Sequence, residues 1–217
     1  FLAFRSRIKG VYFAIITQAL ALAMWLMFLR NETMLGGTNG LTDFKTLLGF
    51  ELSDPATKRG LYAVAFVALL GAYYLCRVIV GSKLGKVLVA VRDGEHRLRF
   101  IGYQITHYKL FVFVVASALA GLGGMLYVPQ TGIITPGRMD VQASIEIVVW
   151  TAVGGRATLV GAIVGAVLIN LLYSFLTGAF PGTWLYFLGA LFLGVVLFFP
   201  EGIVGVVERW RNKMATA

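Results

Sequence analysis

A nucleotide-handling or hydrolytic centre would show first in its motifs. The glycine-rich run Gly81-Ser-Lys-Leu-Gly85-Lys86 lacks the G-x-x-x-x-G-K-[ST] spacing that cradles phosphates, and neither G-x-S-x-G nor H-E-x-x-H occurs. One cysteine, Cys76, and two histidines, His96 and His107, offer no internal disulfide, no thiolate zinc cluster and no ready metal site. We therefore assign no catalytic residue, no metal ligand and no cofactor to this chain. The remaining candidates are polar residues set singly in apolar stretches. Thr17 and Gln18 lie midway along one such stretch, and Glu146 stands just inside another. An ionisable residue near a membrane span is a functional candidate because burying its charge is costly. Glu146 would accept N–H donors from a small amide-like solute or pair with another subunit; alternatively it sits solvated at the outer interface near Arg138. Thr17 and Gln18 either bond across helices or face a pathway.

The elements that must position these residues follow from composition. Of 217 residues, 59% are apolar and only 13% charged, against roughly 25% charged in ordinary soluble domains. So few charges cannot cover that much apolar surface in water, and the aliphatic and aromatic content excludes disorder. The chain reads as an all-α integral membrane protein, a polytopic bundle. A spanning helix needs about 20 apolar residues. Residues 11–29, 61–76, 110–128, 157–177 and 184–199 qualify, the second extended by a snorkelling Arg77, and the last two form a hairpin around Gly178-Ala-Phe-Pro-Gly-Thr183. Residues 141–155 are short for a span, so they either cross fully or re-enter; counting them gives about six spans and puts both chain ends on one side. The start at Phe1, with Phe1–Phe4 resembling the end of an earlier span, leads us to expect the C-terminal part of a longer membrane protein, read here as a single transmembrane domain over residues 1–217.

Basic residues set the orientation. Arg5, Arg7 and Lys9 precede the first span; Lys83, Lys86, Arg92, Arg97, Arg99 and Lys109 outnumber Asp93 and Glu95 in the segment 82–109; Arg209, Arg211 and Lys213 close the chain. Segment 30–59 balances four basic against four acidic residues. The basic segments, and with them both ends of this chain, are placed in the cytoplasm. The net charge of +9 is thus an orientation signal and not a nucleic-acid patch.

The outer loop Leu35-Gly-Gly-Thr-Asn-Gly40-Leu41 has three glycines in five positions and presents Thr38 and Asn39. Small residues recur at helix-packing spacing in Ala116, Ala120 and Gly124 and in Ala157, Gly161 and Gly165. The longest cytoplasmic connection, 81–109, contains an amphipathic helix over 84–101, weakened at Gly94 and ended by Gly102. It would lie on lipid or dock on a soluble partner, and its mixed charge favours a protein.

Val11-Tyr-Phe-Ala-Ile-Ile-Thr-Gln18, Gly36-Gly-Thr-Asn-Gly-Leu41, Ser144-Ile-Glu-Ile147 and Val153-Gly-Gly-Arg-Ala-Thr-Leu-Val-Gly161 resemble the branched-chain amino acid/urea family of ABC importer permeases. Tyr108-Lys-Leu-Phe-Val-Phe113, Tyr127-Val-Pro-Gln-Thr-Gly-Ile-Ile-Thr-Pro136 and Trp150-Thr-Ala-Val-Gly-Gly-Arg156 look most like its urea branch. The resemblance implies a bacterial inner-membrane permease paired with a second permease subunit, docked to two ATP-binding subunits that hold ATP and Mg, and fed by an extracytoplasmic solute-binding protein. It also implies that Asp93, Glu95, His96, Arg97, Leu98, Arg99 and Gly102 couple the permease to the ATPase. Gly102 matches the glycine of the family's E-A-A-x-x-x-G pattern, while His96-Arg97-Leu98 occupies the E-A-A positions. Urea is the expected cargo; a branched-chain amino acid importer and an ATP-independent urea channel are the alternatives.

Overall fold

The computed structural model describes residues 11–30, 37–42, 44–47, 49–155 and 158–179, with 182, 183, 186, 187, 189, 190, 193, 194, 197 and 202–205. Ala157, Arg156, most of the expected span 184–199 and the basic residues at both chain ends lie outside them. Six helices are described: α1 Val11–Leu29, α2 Pro55–Gly81, α3 Lys83–Phe100, α4 Ile105–Thr131, α5 Val141–Gly154 and α6 Leu159–Ala179. A two-residue hairpin, β1 Thr46–Leu47 paired antiparallel with β2 Phe50–Glu51, lies between α1 and α2. The protein is an all-α polytopic membrane protein.

Among the described residues four helices (α1, α2, α4 and α6) are long and apolar enough to cross a membrane. At 1.5 Å per residue the 27 residues of α2 and of α4 extend about 40 Å, more than the ~30 Å hydrocarbon core. Both outrun the apolar runs from which they were expected. Capping explains the longer α2: Asp54 accepts a hydrogen bond from the Ala56 N–H, and Pro55 sits where a missing donor costs nothing. Helix α4 runs through Pro129 and stops at Gly132, whose φ of 71° lets its N–H bond to Val128 O. The 14 residues of α5 extend only about 21 Å, too short to cross that core.

The chain packs as two compact units, Phe1–Asp140 and Val141–Ala217. In the first, α2 turns sharply into α3 at Ser82. Its N–H and hydroxyl both donate to Ile79 O, closing α2, while its Oγ accepts the Gly85 N–H, opening α3. A Cβ on Gly85 would stand 2.1 Å from Val80 O, so the corner requires that glycine. The run that fails as a phosphate loop is this corner. On the other side of the unit, a 3-10 turn at Gly37–Asn39 and another at Pro136–Met139 pack on each other and on α1. Leu41 and Ile134 exchange both backbone hydrogen bonds, each 3.0 Å, and Gly40 (φ +67°) lies so close that a Cβ would stand 2.1 Å from Ile134 O.

In the second unit α5 and α6 form a close hairpin around Val149, Val153 and Ile169, with Trp150 packed against them. Here backbone meets backbone. A Cβ on Gly154 would lie 1.8 Å from Gly161 O, and one on Gly165 would lie 2.0 Å from Trp150 O. Between helices surrounded by lipid such contact supplies the van der Waals packing that water cannot drive.

Candidate functional site

Helix α3 carries most of the expected coupling residues. Gly94 (φ −166°, ψ 70°) kinks it between a first part and residues 95–100. The Gly102 N–H donates to Arg99 O and the Tyr103 N–H to Leu98 O, with Gly102 at φ +91°, so a Schellman motif ends the helix. Arg92, Asp93, His96, Arg97 and Phe100 are exposed, Phe100 at 91% and the adjoining Ile101 at 72%. Asp93 accepts a hydrogen bond from Arg92 Nε at 2.9 Å, and this bond with its charge raises the Arg92 pKa. Leu98 is half-buried. Just beyond the helix end lies an open cleft of about 430 Å³ lined by Ile101, Gly102, Tyr103, Gln104, His107 and Tyr108.

Glu95 points the other way. Its side chain is only 15% exposed; Oε1 accepts from Arg99 Nη2 at 2.7 Å and Oε2 from Lys109 Nζ at 3.0 Å. Lys109 stands in the first turns of α4, so this acid joins α3 to the next long helix. The residue's charge was legible in the sequence. Its partner fourteen positions on was not, because no helical period relates the two.

The expected solute-path residues are placed separately. On α1 the Thr17 hydroxyl donates to Phe13 O and Ala14 O, at 3.0 and 2.9 Å. Gln18 is half-buried, and its Oε1 meets no hydrogen-bond partner among the described residues. Trp25 Nε1 is likewise buried without a partner. It sits seven positions on, on the same face of α1. Sequence reading passed over Trp25 as one more apolar residue. Thr38 and Asn39 are exposed in the turn that packs on α1. Glu146 is half-buried on α5, at the i−3, i−4 and i−7 positions of Val149, Trp150 and Val153, and thus on the stripe that carries the hairpin core. Arg138 is engaged by Tyr127: its guanidinium lies 5.1 Å over that ring, and its Nη2 donates to the Tyr127 hydroxyl.

Of the two small-residue ridges, Gly161 and Gly165 lie inside the α5–α6 contact. Ala116, Ala120 and Gly124 are exposed along α4, and a Cβ on Gly124 would meet nothing within 4 Å. Among the described residues no three His, Cys, Asp or Glu side chains gather as a metal site.

Known proteins share this sequence pattern. The chain is 24% identical to the high-affinity branched-chain amino acid transport system permease protein LivM of Salmonella typhimurium, over 91% of this chain and 52% of that protein. BraD of Pseudomonas aeruginosa, a permease protein of the same kind of system, is 28% identical over 84% of this chain and 62% of its own. The autoinducer 2 import system permease protein LsrC of Yersinia enterocolitica is 26% identical over 94% and 56%. The chain thus spans a little over half the length of these relatives. No solved structure matches it. The model of the family described as branched-chain amino acid transport system / permease component matches residues 1–196, and this protein belongs to that family.

Proposed function

We propose that this chain is a membrane-spanning subunit of an ATP-driven importer, that it forms the translocation path with a second permease, and that urea is its cargo. The observation that carries the importer reading is α3: a capped, kinked, charged helix held between two long apolar helices, presenting Arg92, Asp93, His96, Arg97 and Phe100 outward. A channel that works by itself has no use for such a docking element. An ATPase on another polypeptide does, since this sequence has no phosphate-binding loop of its own. By the basic-residue rule α3 faces the cytoplasm, and Thr38 and Asn39 face a solute-binding protein on the outside. With α5 too short to cross, the six-span parity that put both chain ends on the cytoplasmic side no longer holds.

The cargo follows from chemistry and from motif resemblance. Urea is neutral and rich in N–H and C=O groups. The unpartnered Gln18 Oε1 suits an N–H donor, and Trp25 Nε1 suits a carbonyl. The charged side chains of the described long helices (Lys58, Arg59 and Arg77 on α2, Lys109 on α4) all lie within five residues of a helix end, so their apolar middles offer none to a zwitterion, and Glu146 on the short α5 is the candidate carboxylate. The second reading, a branched-chain amino acid, is favoured by the names of LivM and BraD.

Proteoliposomes holding this permease with its neighbouring permease, ATPase and binding-protein subunits decide the matter. Labelled urea taken up only with ATP, and no leucine, is the expected result. ATP-dependent leucine uptake would move the chain to the amino acid reading. Urea flux indifferent to ATP would overturn the importer.

A further inference from the structure

We infer that Glu95 is a positioning residue that carries movement of the docking helix to the solute path, through Lys109, Phe113 and Phe13. This inference rests on the importer reading above and adds a route to it.

The route is contiguous. The kink at Gly94 interrupts α3, so the helix backbone does not by itself hold residues 95–100 in line with the part that follows Ser82. Glu95 ties that terminal segment down by ion pairs to Arg99 within it and to Lys109 on α4. Both carboxylate oxygens are engaged and the side chain is mostly withdrawn from solvent, so the pair is screened less than a surface pair. Removing the acid would leave two cations facing each other with their shared anion gone. One helical turn along α4 from Lys109 stands Phe113, whose ring meets that of Phe13 on α1 edge to face, centroids 6.4 Å apart at 83°. One turn along α1 from Phe13 is Thr17, bonded to the Phe13 carbonyl, and beside it Gln18 with its unpartnered oxygen. A displacement of the exposed face of α3 is thereby handed to α4 through an ion pair and to α1 through a ring contact. Both links are discrete packing arrangements of the kind that transmits coupling.

The test uses the reconstituted importer and whichever of urea or leucine the wild type takes up. It reads solute imported per ATP hydrolysed, together with the amount of ATPase that co-purifies. Glu95→Gln, Lys109→Gln and Phe113→Ala should each keep the ATPase at wild-type yield and lower that ratio about five-fold or more. The charge exchange Glu95→Lys with Lys109→Glu should restore it to within about two-fold, since Glu at 109 can serve both cations, and Glu95→Gln with Phe113→Ala should be no worse than the weaker single variant, as links in series require. Loss of the ATPase from Glu95→Gln would make Glu95 a docking contact and overturn the inference. So would an unchanged ratio in the single variants, or an exchange no better than they are. A wild type without ATP-dependent uptake would overturn the importer reading itself, which separates the two failures.

Discussion

Glycines of one kind in the sequence have opposite roles in the structure. Gly165 lies against the Trp150 carbonyl, whereas Gly124 faces open space on α4. Gly165→Ala therefore drives the α5–α6 hairpin apart and should cost roughly 1–3 kcal/mol. Gly124→Ala, by contrast, should be neutral or stabilise by up to about 1 kcal/mol through the better helix former. Thermal unfolding of the purified subunit in detergent compares them directly; equal shifts would contradict the packing described. Gly40→Ala combines a positive φ with a collision on Ile134 O and should destabilise by about 1–3 kcal/mol. Glu146 shares its stripe with the hairpin core, so Glu146→Gln should lower solute uptake while leaving subunit yield intact. Wild-type uptake by that variant would return Glu146 to a solvated role.

At the level of elements, α3 is built to be held at both ends. Ser82 closes one helix and opens the next, and replacing it by Ala should cost about 1 kcal/mol for the lost cap. Gly102 sits at φ +91° and donates its N–H to Arg99 O. Proline at 102 can satisfy neither condition, because its φ is locked near −65° and it has no N–H. Gly102→Pro should unwind the last turn, shift Phe100 and Ile101, and abolish co-purification of the ATPase while the permease still inserts. Retention of the ATPase at wild-type yield would place docking elsewhere on the chain. The paired change Arg97→Glu and Arg99→Glu should have the same outcome, because Arg97 is exposed on α3 and the two reversals turn that helix end from basic to acidic.

For the whole molecule the decisive property is sidedness. Helices α1, α2, α4 and α6 expose apolar side chains along most of their length, and only lipid or further protein can cover them. With Cys76 replaced, a single cysteine at 92 should react with an impermeant maleimide only when the cytoplasmic face is open. One at 39 should react only from the outer face. The reverse pattern would invert the chain in the membrane and remove α3 from the reach of a cytoplasmic ATPase.

Membrane residence, the approximate helix positions and the end of α3 at Gly102 were legible in the order of residues. Each depends on a local property: apolar run length, charge placement, or a residue's allowed φ. The family membership was legible in its motifs. What lay beyond local rules was the pairing of distant residues. The Gly36–Leu41 loop read as a place where glycines permit a positive φ and close backbone approach, but the sequence did not say that Ile134 is what approaches Gly40. Glu95 read as a docking charge, but its carboxylate turns inward to Lys109. Of the small-residue ridges, Gly161 and Gly165 are covered while Ala116, Ala120 and Gly124 are open, although the spacing is the same. Spacing specifies which residues share a face of a helix, while only the packed chain decides what that face meets.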